Sequence, residues 1–275
     1  MNPGRPPQRL ARCLVLISVL APAFAVFAVP LRPQSQSQPT NTTRLRKNFA
    51  PVPPKEVPVP FHVGETLNYR VSWSAFSNAA SVQLTVPERR NLYGWSTWHF
   101  QAIAHTQGPV RSLFAVDDQF DSYTDAVTLE SRQYETHLNE LGRAEDAILH
   151  FAATGEVSHA PPPIVAVRPG TRDPLGVFYG LRAADWRTPE LRLSAYDGHD
   201  LYDIIATREA SGEMVKVAAG SFSASRIGVR VFRYGKEVPA IHFTLWLADD
   251  AAKTPVILQA ELPFGNIRAE LLSAK

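Results

Sequence analysis

Along most of this chain, apolar and polar residues alternate one for one. Leu67, Tyr69, Val71 and Trp73 alternate with Asn68, Arg70 and Ser72, and Val82, Leu84 and Val86 with Gln83 and Thr85. Trp98, Phe100, Ala102 and Ala104 share a parity opposite Thr97, His99, Gln101 and His105. The beat returns at Leu191/Leu193/Ala195, Val229/Val231, Ile241/Phe243/Leu245/Leu247 and Val256/Leu258/Ala260/Leu262. A period of two with one polar face belongs to antiparallel strands, whose successive side chains point to opposite faces. Turn-forming residues separate the runs, at Asn91 to Gly94, Thr154-Gly155, Asp197-Gly198, Ser211-Gly212, Tyr234-Gly235 and Phe264-Gly265. Many strands joined by short turns predict a mainly β fold: a single curved antiparallel sheet or an open β-barrel.

One segment breaks the beat. Asp173-Pro174 offers a capping side chain followed by proline at the first helical position. Leu175, Phe178 and Leu181 then fall three apart, along one helical face. This predicts one inserted α-helix over about 173–187, packed on or plugging the concave side of the sheet. A weaker helical pattern covers Val110–Tyr123. No internal repeat of fixed period is visible.

The first 60 residues have a different texture. Arg5, Arg9 and Arg12 precede an apolar run from Cys13 to Ala21, broken by Pro22 and followed by Ala23-Phe24-Ala25. A basic start, a short apolar stretch and an A-x-A site make a secretory signal peptide over 1–25, with cleavage after Ala25 or Ala28. The apolar stretch is short for a membrane span of ~20 residues, so no transmembrane span is expected once the leader is removed. Residues 26–60 read as a proline-rich disordered linker, with eight prolines between Pro30 and Pro60 and the tract Gln34 to Gln38. Asn41-Thr42-Thr43 fits the glycosylation pattern but reads as ordinary polar linker. Residues 61–275 make one β-rich exported domain, placed in the periplasm or cell envelope of a bacterium.

Subtracting the leader changes the chemistry. Cys13 is the chain's sole cysteine, so the mature protein has no disulfide, thiolate metal site or cysteine nucleophile. The formal net charge of +2 also dissolves. The leader takes three arginines, and residues 26–60 hold five bases against Glu56, leaving 20 basic and 25 acidic residues in the domain. A nucleic-acid partner loses its electrostatic footprint.

Several segments together resemble a known family. Phe61 to Trp73 (FHVGETLNYRVSW), Phe114 to Ser122, Thr128 to Glu135 and Arg172 to Arg182 (RDPLGVFYGLR) carry the likeness. It continues at Trp246-Leu-Ala-Asp-Asp250, at Pro255-Val256 and over Phe264 to Leu271. These resemble an exported bacterial family catalogued as domain of unknown function 3108, across essentially all of residues 61–275. The chain departs from the pattern at Pro161 to Pro163. The resemblance implies an exported, β-rich single domain with no assigned activity. The Trp246 to Val256 hairpin also looks like one in exported half-barrels that carry lipids or lipoproteins, an analogy of fold that does not fix function.

Candidate chemistry is sparse. Asp117, Asp118, Asp121 and Asp125 cluster, and if Val110–Tyr123 were helical, Asp117 and Asp121 could share a hard cation. An EF-hand loop from Asp117 fails, with Ser122 where glycine belongs and Thr128 where glutamate belongs. His99 and His105 lie ~20 Å apart on one strand, too far for one metal, so no metal is expected. Gly94-Trp95-Ser96 and Gly220 to Ser223 lack the second glycine of a nucleophile elbow, and Asp249-Asp250 reads as a solvated turn. No catalytic residue stands out and no cofactor is implied.

The aromatics remain. Most should pack the core, while some could line an apolar cavity, with Arg172 or Arg182 at the rim for an acidic head group. Arg172, Phe178, Tyr179, Arg182, Trp186 and Trp246 are the candidate ligand-binding residues. The expected function is non-enzymatic binding of an apolar or amphipathic, lipid-like molecule in a β-barrel cavity. Two alternatives stand beside it. One is a carboxylate-dependent hydrolase of envelope polysaccharide, with two carboxyls ~5–9.5 Å apart in a groove. The other is an interaction module for an envelope protein partner, with an exposed apolar patch or sheet edge.

Overall fold

A computed structural model describes residues 55–262 and 265–275. The leader over 1–25, most of the linker over 26–60, Cys13, Asn41 and Phe264 lie outside the described residues.

Fourteen strands among the described residues form one sheet. Its first half comprises β1 (Thr66–Trp73), β2 (Phe76–Leu92), β3 (Trp95–Thr106), β4 (Asp117–Asp125), β5 (Ser131–Glu140), β6 (Arg143–Ala153) and β7 (Ile164–Val167). Its second half comprises β8 (Thr171–Arg172), β9 (Glu190–Tyr196), β10 (Leu201–Val217), β11 (Gly220–Arg233), β12 (Lys236–Ala248), β13 (Pro255–Leu262) and β14 (Gly265–Ala274). The spatial order is β7-β6-β5-β4-β3-β2-β1-β14-β13-β12-β11-β10-β9-β8. Two meanders therefore run outward from a central β1/β14 pair that joins the two ends of the domain. The edge strands β7 and β8 are consecutive in sequence, so the sheet curls round until they nearly meet. The result is a nearly closed barrel, antiparallel except for the β6/β7 and β8/β9 pairs.

The gap is strapped by the turn between β7 and β8. Gly170, at φ +85°, donates its amide to Glu130 Oε1 at 2.8 Å on one side. Arg168 donates to Asp203 Oδ1 at 2.6 Å and Ser194 Oγ at 3.0 Å on the other. Arg172 adds a bond to the Thr128 carbonyl at 3.0 Å.

Two helices accompany the sheet. The first, α1 (Gly108–Leu113), is short, and the helix expected over Val110–Tyr123 does not extend beyond it. From Asp117 the chain is strand, because β3 and β5 offer ladders on both sides. Asp118, Phe120, Ser122 and Thr124 then share one face of β4, and Asp117, Asp121 and Asp125 the other. This overturns the shared-cation geometry: four residues along a strand separate Asp117 from Asp121 by ~13 Å. Asp117 instead pairs with Arg111 and His105, and Asp121 with His99.

The second helix, α2 (Pro174–Ala183), is the inserted one, and it starts where the sequence predicts. Asp173 caps it by accepting the Gly176 amide at 2.8 Å. It ends short of residue 187 because Trp186 folds back and donates its indole N–H to the Leu181 carbonyl at 3.0 Å. That carbonyl would otherwise accept the bond of another helical turn. The helix divides the barrel interior. Leu175 and Tyr179 join the cluster of β1–β4, where Tyr179 stacks on Phe100 with centroids 3.7 Å apart and Phe61 meets both rings edge-on. Val177, Leu181 and Trp186 join the cluster of β9–β12.

Glu65 and Arg182 fix the far end of α2. Arg182 has no exposed surface and forks onto Glu65, at 2.6 Å to Oε1 and 3.0 Å to Oε2. Removing one partner of a buried ion pair strands the other charge, which costs ~3–5 kcal/mol. Glu65→Ala is therefore expected to lower the free energy of unfolding by about that amount in urea titrations. The double variant Glu65→Leu/Arg182→Met should recover most of the loss, because neither charge is then left alone.

Candidate functional site

The position of α2 inside the barrel creates the site. At its N-terminus, buried Asp173 accepts hydrogen bonds from Ser122 Oγ of β4 and Ser131 Oγ of β5, and Ser131 Oγ accepts the Asp173 amide in return. At its C-terminus, Arg182 also donates to the Ala252 and Lys253 carbonyls, and Lys253 Nζ donates to the Ala184 carbonyl at 2.6 Å. So held, the helix packs chiefly against β3, β4, β8 and β9. The opposite wall is left incompletely filled.

A cavity of about 90 Å³ occupies that side. Val177 and Phe178 of α2 face Tyr69 of β1, Ile204 of β10, Phe243 of β12 and Leu258 of β13 across it. The lining is almost wholly apolar. The Tyr69 hydroxyl is already engaged, donating to the Pro255 carbonyl at 2.7 Å, and burial pushes its ionisation well up, so it remains a neutral donor. His242, exposed, stands at the open side.

Of the six residues singled out from sequence, Phe178 lines the cavity. Tyr179 is in the aromatic stack and Arg182 in the buried ion pair, away from any rim. Arg172 lies at the strapped seam, donating to the Gly170 and Thr128 carbonyls. Burial in that position lowers its pKa. Trp186 packs in the second core cluster. Trp246 bonds to Glu213 at 2.9 Å and packs with Val256 and Ile257 in a separate cluster. The alternation marked Phe243 and Leu258 as apolar positions of one face, but such positions read alike whether they meet a helix or a void, and Ile204 lies outside the alternating runs. Val177 lies off the Leu175/Phe178/Leu181 stripe and had no signal of its own.

Titratable groups collect elsewhere. On the outer face of β3–β5, His99 Nε2 lies 2.7 Å from Asp121 Oδ1 and its ring stacks on Tyr123 at 4.5 Å. Gln101 and Gln119 donate to the same carboxylate. Asp249 accepts from Ser223 and Ser225 Oγ and from the Gly212 amide, which makes it a turn-organising residue. Among the described residues there is no group of three or more side chains that could hold a metal ion. No described helix is long and apolar enough to cross a membrane.

The sequence matches the family model described as "Protein of unknown function (DUF3108)" over residues 68–272. No curated protein matches it. Among solved structures it is similar to a β-barrel-like protein of domain of unknown function DUF1849 from Brucella abortus. That likeness has 8% identity and a TM-score of 0.46, over 78% of this chain and 97% of that one. It is also similar to an exported-protein candidate with a YmcC-like fold from Bacteroides fragilis. Here the identity is 10% and the TM-score 0.30, over 80% of this chain and 100% of that one.

One buried acid inside the barrel makes stability sensitive to pH. Asp118 accepts the Asn139 amide at 2.9 Å through Oδ1, while its other oxygen is buried without a hydrogen-bond partner. Burial raises its pKa from 3.8 to about 6, with Glu140 and Asp117 adding repulsion. The folded state then binds this proton more tightly than the unfolded chain does. The resulting stabilisation is full below about pH 4 and is lost as pH rises through about 6. Asp118→Asn should flatten the fall in unfolding free energy between pH 4 and pH 7 by ~2–3 kcal/mol, as read from urea titrations across that range.

Proposed function

This chain belongs to the DUF3108 family of proteins of unknown function, and we propose that it is a non-enzymatic cell-envelope protein holding an apolar or amphipathic, lipid-like ligand in its barrel cavity. In this reading residues 1–25 direct export, residues 26–60 tether the domain, and residues 61–275 carry the site. The observation that carries the proposal is the apolar cavity between α2 and the β10–β14 wall, bounded by Val177, Phe178, Phe243 and Leu258. An apolar ligand placed there gains ~0.8 kcal/mol per buried methylene and leaves no polar group unpaired. Phe178 touches the ligand. Arg172, Tyr179, Arg182 and Trp186 act through the helix, which they fasten to seam and wall.

The test is titration of the full chain with cis-parinaric acid, a linear polyene fatty acid that fluoresces when shielded from water. Saturable enhancement is expected. Ala260→Phe grows a ring from the cavity lining into the void and should weaken binding at least tenfold while leaving the melting temperature near that of the wild type. Mass spectrometry of organic extracts from envelope-purified protein should find a co-purifying lipid. No enhancement with the wild type, together with an empty extract, would sink the proposal.

A further inference from the structure

Apart from the β7/β8 seam, the sheet is interrupted within β12, beside the cavity. Pro239, within β12, has no amide hydrogen to give a ladder, and proline inside a sheet marks a bulge or an edge. The ladder responds. Along β11, Arg230 pairs with His242, but Phe232 pairs with Glu237, so residues 238–241 leave the register. On the other side of β12, pairing with β13 runs from Leu247↔Pro255 only as far as Phe243↔Ala260. Over residues 238–241, β12 is in register with neither neighbour before it rejoins β11 at Glu237 and Lys236, while β13 continues to pair with β14 as far as Leu262↔Gly265. A notch therefore opens between β12 and β13.

The residues at this notch are cavity residues. Ile241, His242 and Phe243 line the cavity from β12, and Leu258 and Ala260 line it from β13. On the other flank the β13/β14 and β1/β2 ladders continue past the cavity, and β1 pairs with β14 on both sides of a one-residue shift at Asn68/Tyr69. The lips of the notch change character from inside to outside. Phe243 and Leu258 are half-buried, while His242 is exposed beside its cross-strand partner Arg230, which forks onto Glu237. Apolar depth with a polar, hydrated lip matches a molecule that has one greasy end and one polar end.

Size selects the class of molecule. The cavity of about 90 Å³ is smaller than the ~150 Å³ apolar cavity that accepts benzene. A single flexible alkyl chain can enter such a space a few methylenes at a time, whereas two chains or a fused ring cannot. We infer that the notch between β12 and β13 is the portal of the cavity, and that it admits one linear acyl chain, methyl end first, leaving the head group outside beside His242 and Arg230. A free fatty acid and a lysophospholipid share this chemistry. The inference rests on the function proposed above and adds the route and the ligand class.

The portal is tested by blocking it. In the full chain carrying Cys13→Ser, His242→Cys places a lone thiol on the lip, and Met214→Cys places one at an exposed position of β10 that does not line the cavity. Each is coupled to a bulky polyethylene-glycol maleimide, and cis-parinaric acid uptake is followed by stopped flow. The label at 242 is expected to slow association at least tenfold, and the label at 214 to leave it unchanged. Equal rates for the two labelled proteins would overturn the portal while leaving the cavity proposal intact. Competition separates the ligand classes. Lysophosphatidylcholine and palmitic acid should displace the probe at least ten times more effectively than dipalmitoyl phosphatidylcholine. A two-chain lipid that competes equally well would overturn the single-chain assignment. Failure of the unlabelled protein to bind any of these ligands would remove the proposed function as well.

Discussion

A guanidinium with no exposed surface holds the architecture together. Arg182 cannot be left unpaired in the barrel interior, so Glu65 must enter with it, and the Ala252 and Lys253 carbonyls must turn inward to take its remaining donors. Through these contacts one side chain joins α2, the segment leading into β1 and the turn between β12 and β13. Asp173 does the corresponding work at the other end, gathering β4 and β5 through two serine hydroxyls. With both ends fixed, the helix has one position available, and the unfilled volume falls on the β10–β14 side. The cavity is a consequence of polar anchoring and not of loose packing.

The same anchors explain how an open sheet passes for a barrel. The β7 and β8 edges never form a ladder with each other, yet the turn between them is pinned to both flanks by Glu130, Ser194 and Asp203. α2 leaves directly from β8, so closing the seam and seating the plug are one event in the chain. Gly170 supplies the left-handed conformation that this turn requires, which an L-residue with a Cβ adopts only with strain. Sequence-adjacent edges strapped by a short turn also leave little free strand edge for a second chain to extend.

Much of the fold was legible from period alone. Alternation in β1, β3 and β12 and the Asp173-Pro174 start of α2 all correspond to what formed, because each is a local rule that the tertiary structure also satisfies. β4 was not legible. Its acidic, weakly patterned sequence carries no strong preference, and two neighbouring ladders decide its state. The site was harder still. Phe178 lines the cavity because aromatics on the inserted helix face the interior. Arg182 was misplaced at a rim because a sequence does not show that Glu65, 117 positions earlier, stands beside it. Trp246 lies on β12 with the parity opposite to Phe243 and Leu245, and the alternation already placed it on the other face.

The rigidity of the plug bears on how a cavity of this size can be used. Moving α2 aside to enlarge it would break the Arg182–Glu65 fork or the Asp173 network, each of the kind that costs several kcal/mol to disrupt. Parting β12 further from β13 asks far less. Regular pairing has already ended at Phe243↔Ala260, and a further ladder bond is worth only ~1 kcal/mol. The compliant element is thus the wall and not the helix, at the end of the β12/β13 ladder, beside the stretch around Pro239 that is also out of register with β11. On the portal proposal, a chain entering at that point would widen its own space by spreading strands whose regular pairing has already ended, while the helix stays in place. One proline in a strand and one arginine on a helix therefore divide the labour, the first setting where the molecule can yield and the second where it cannot.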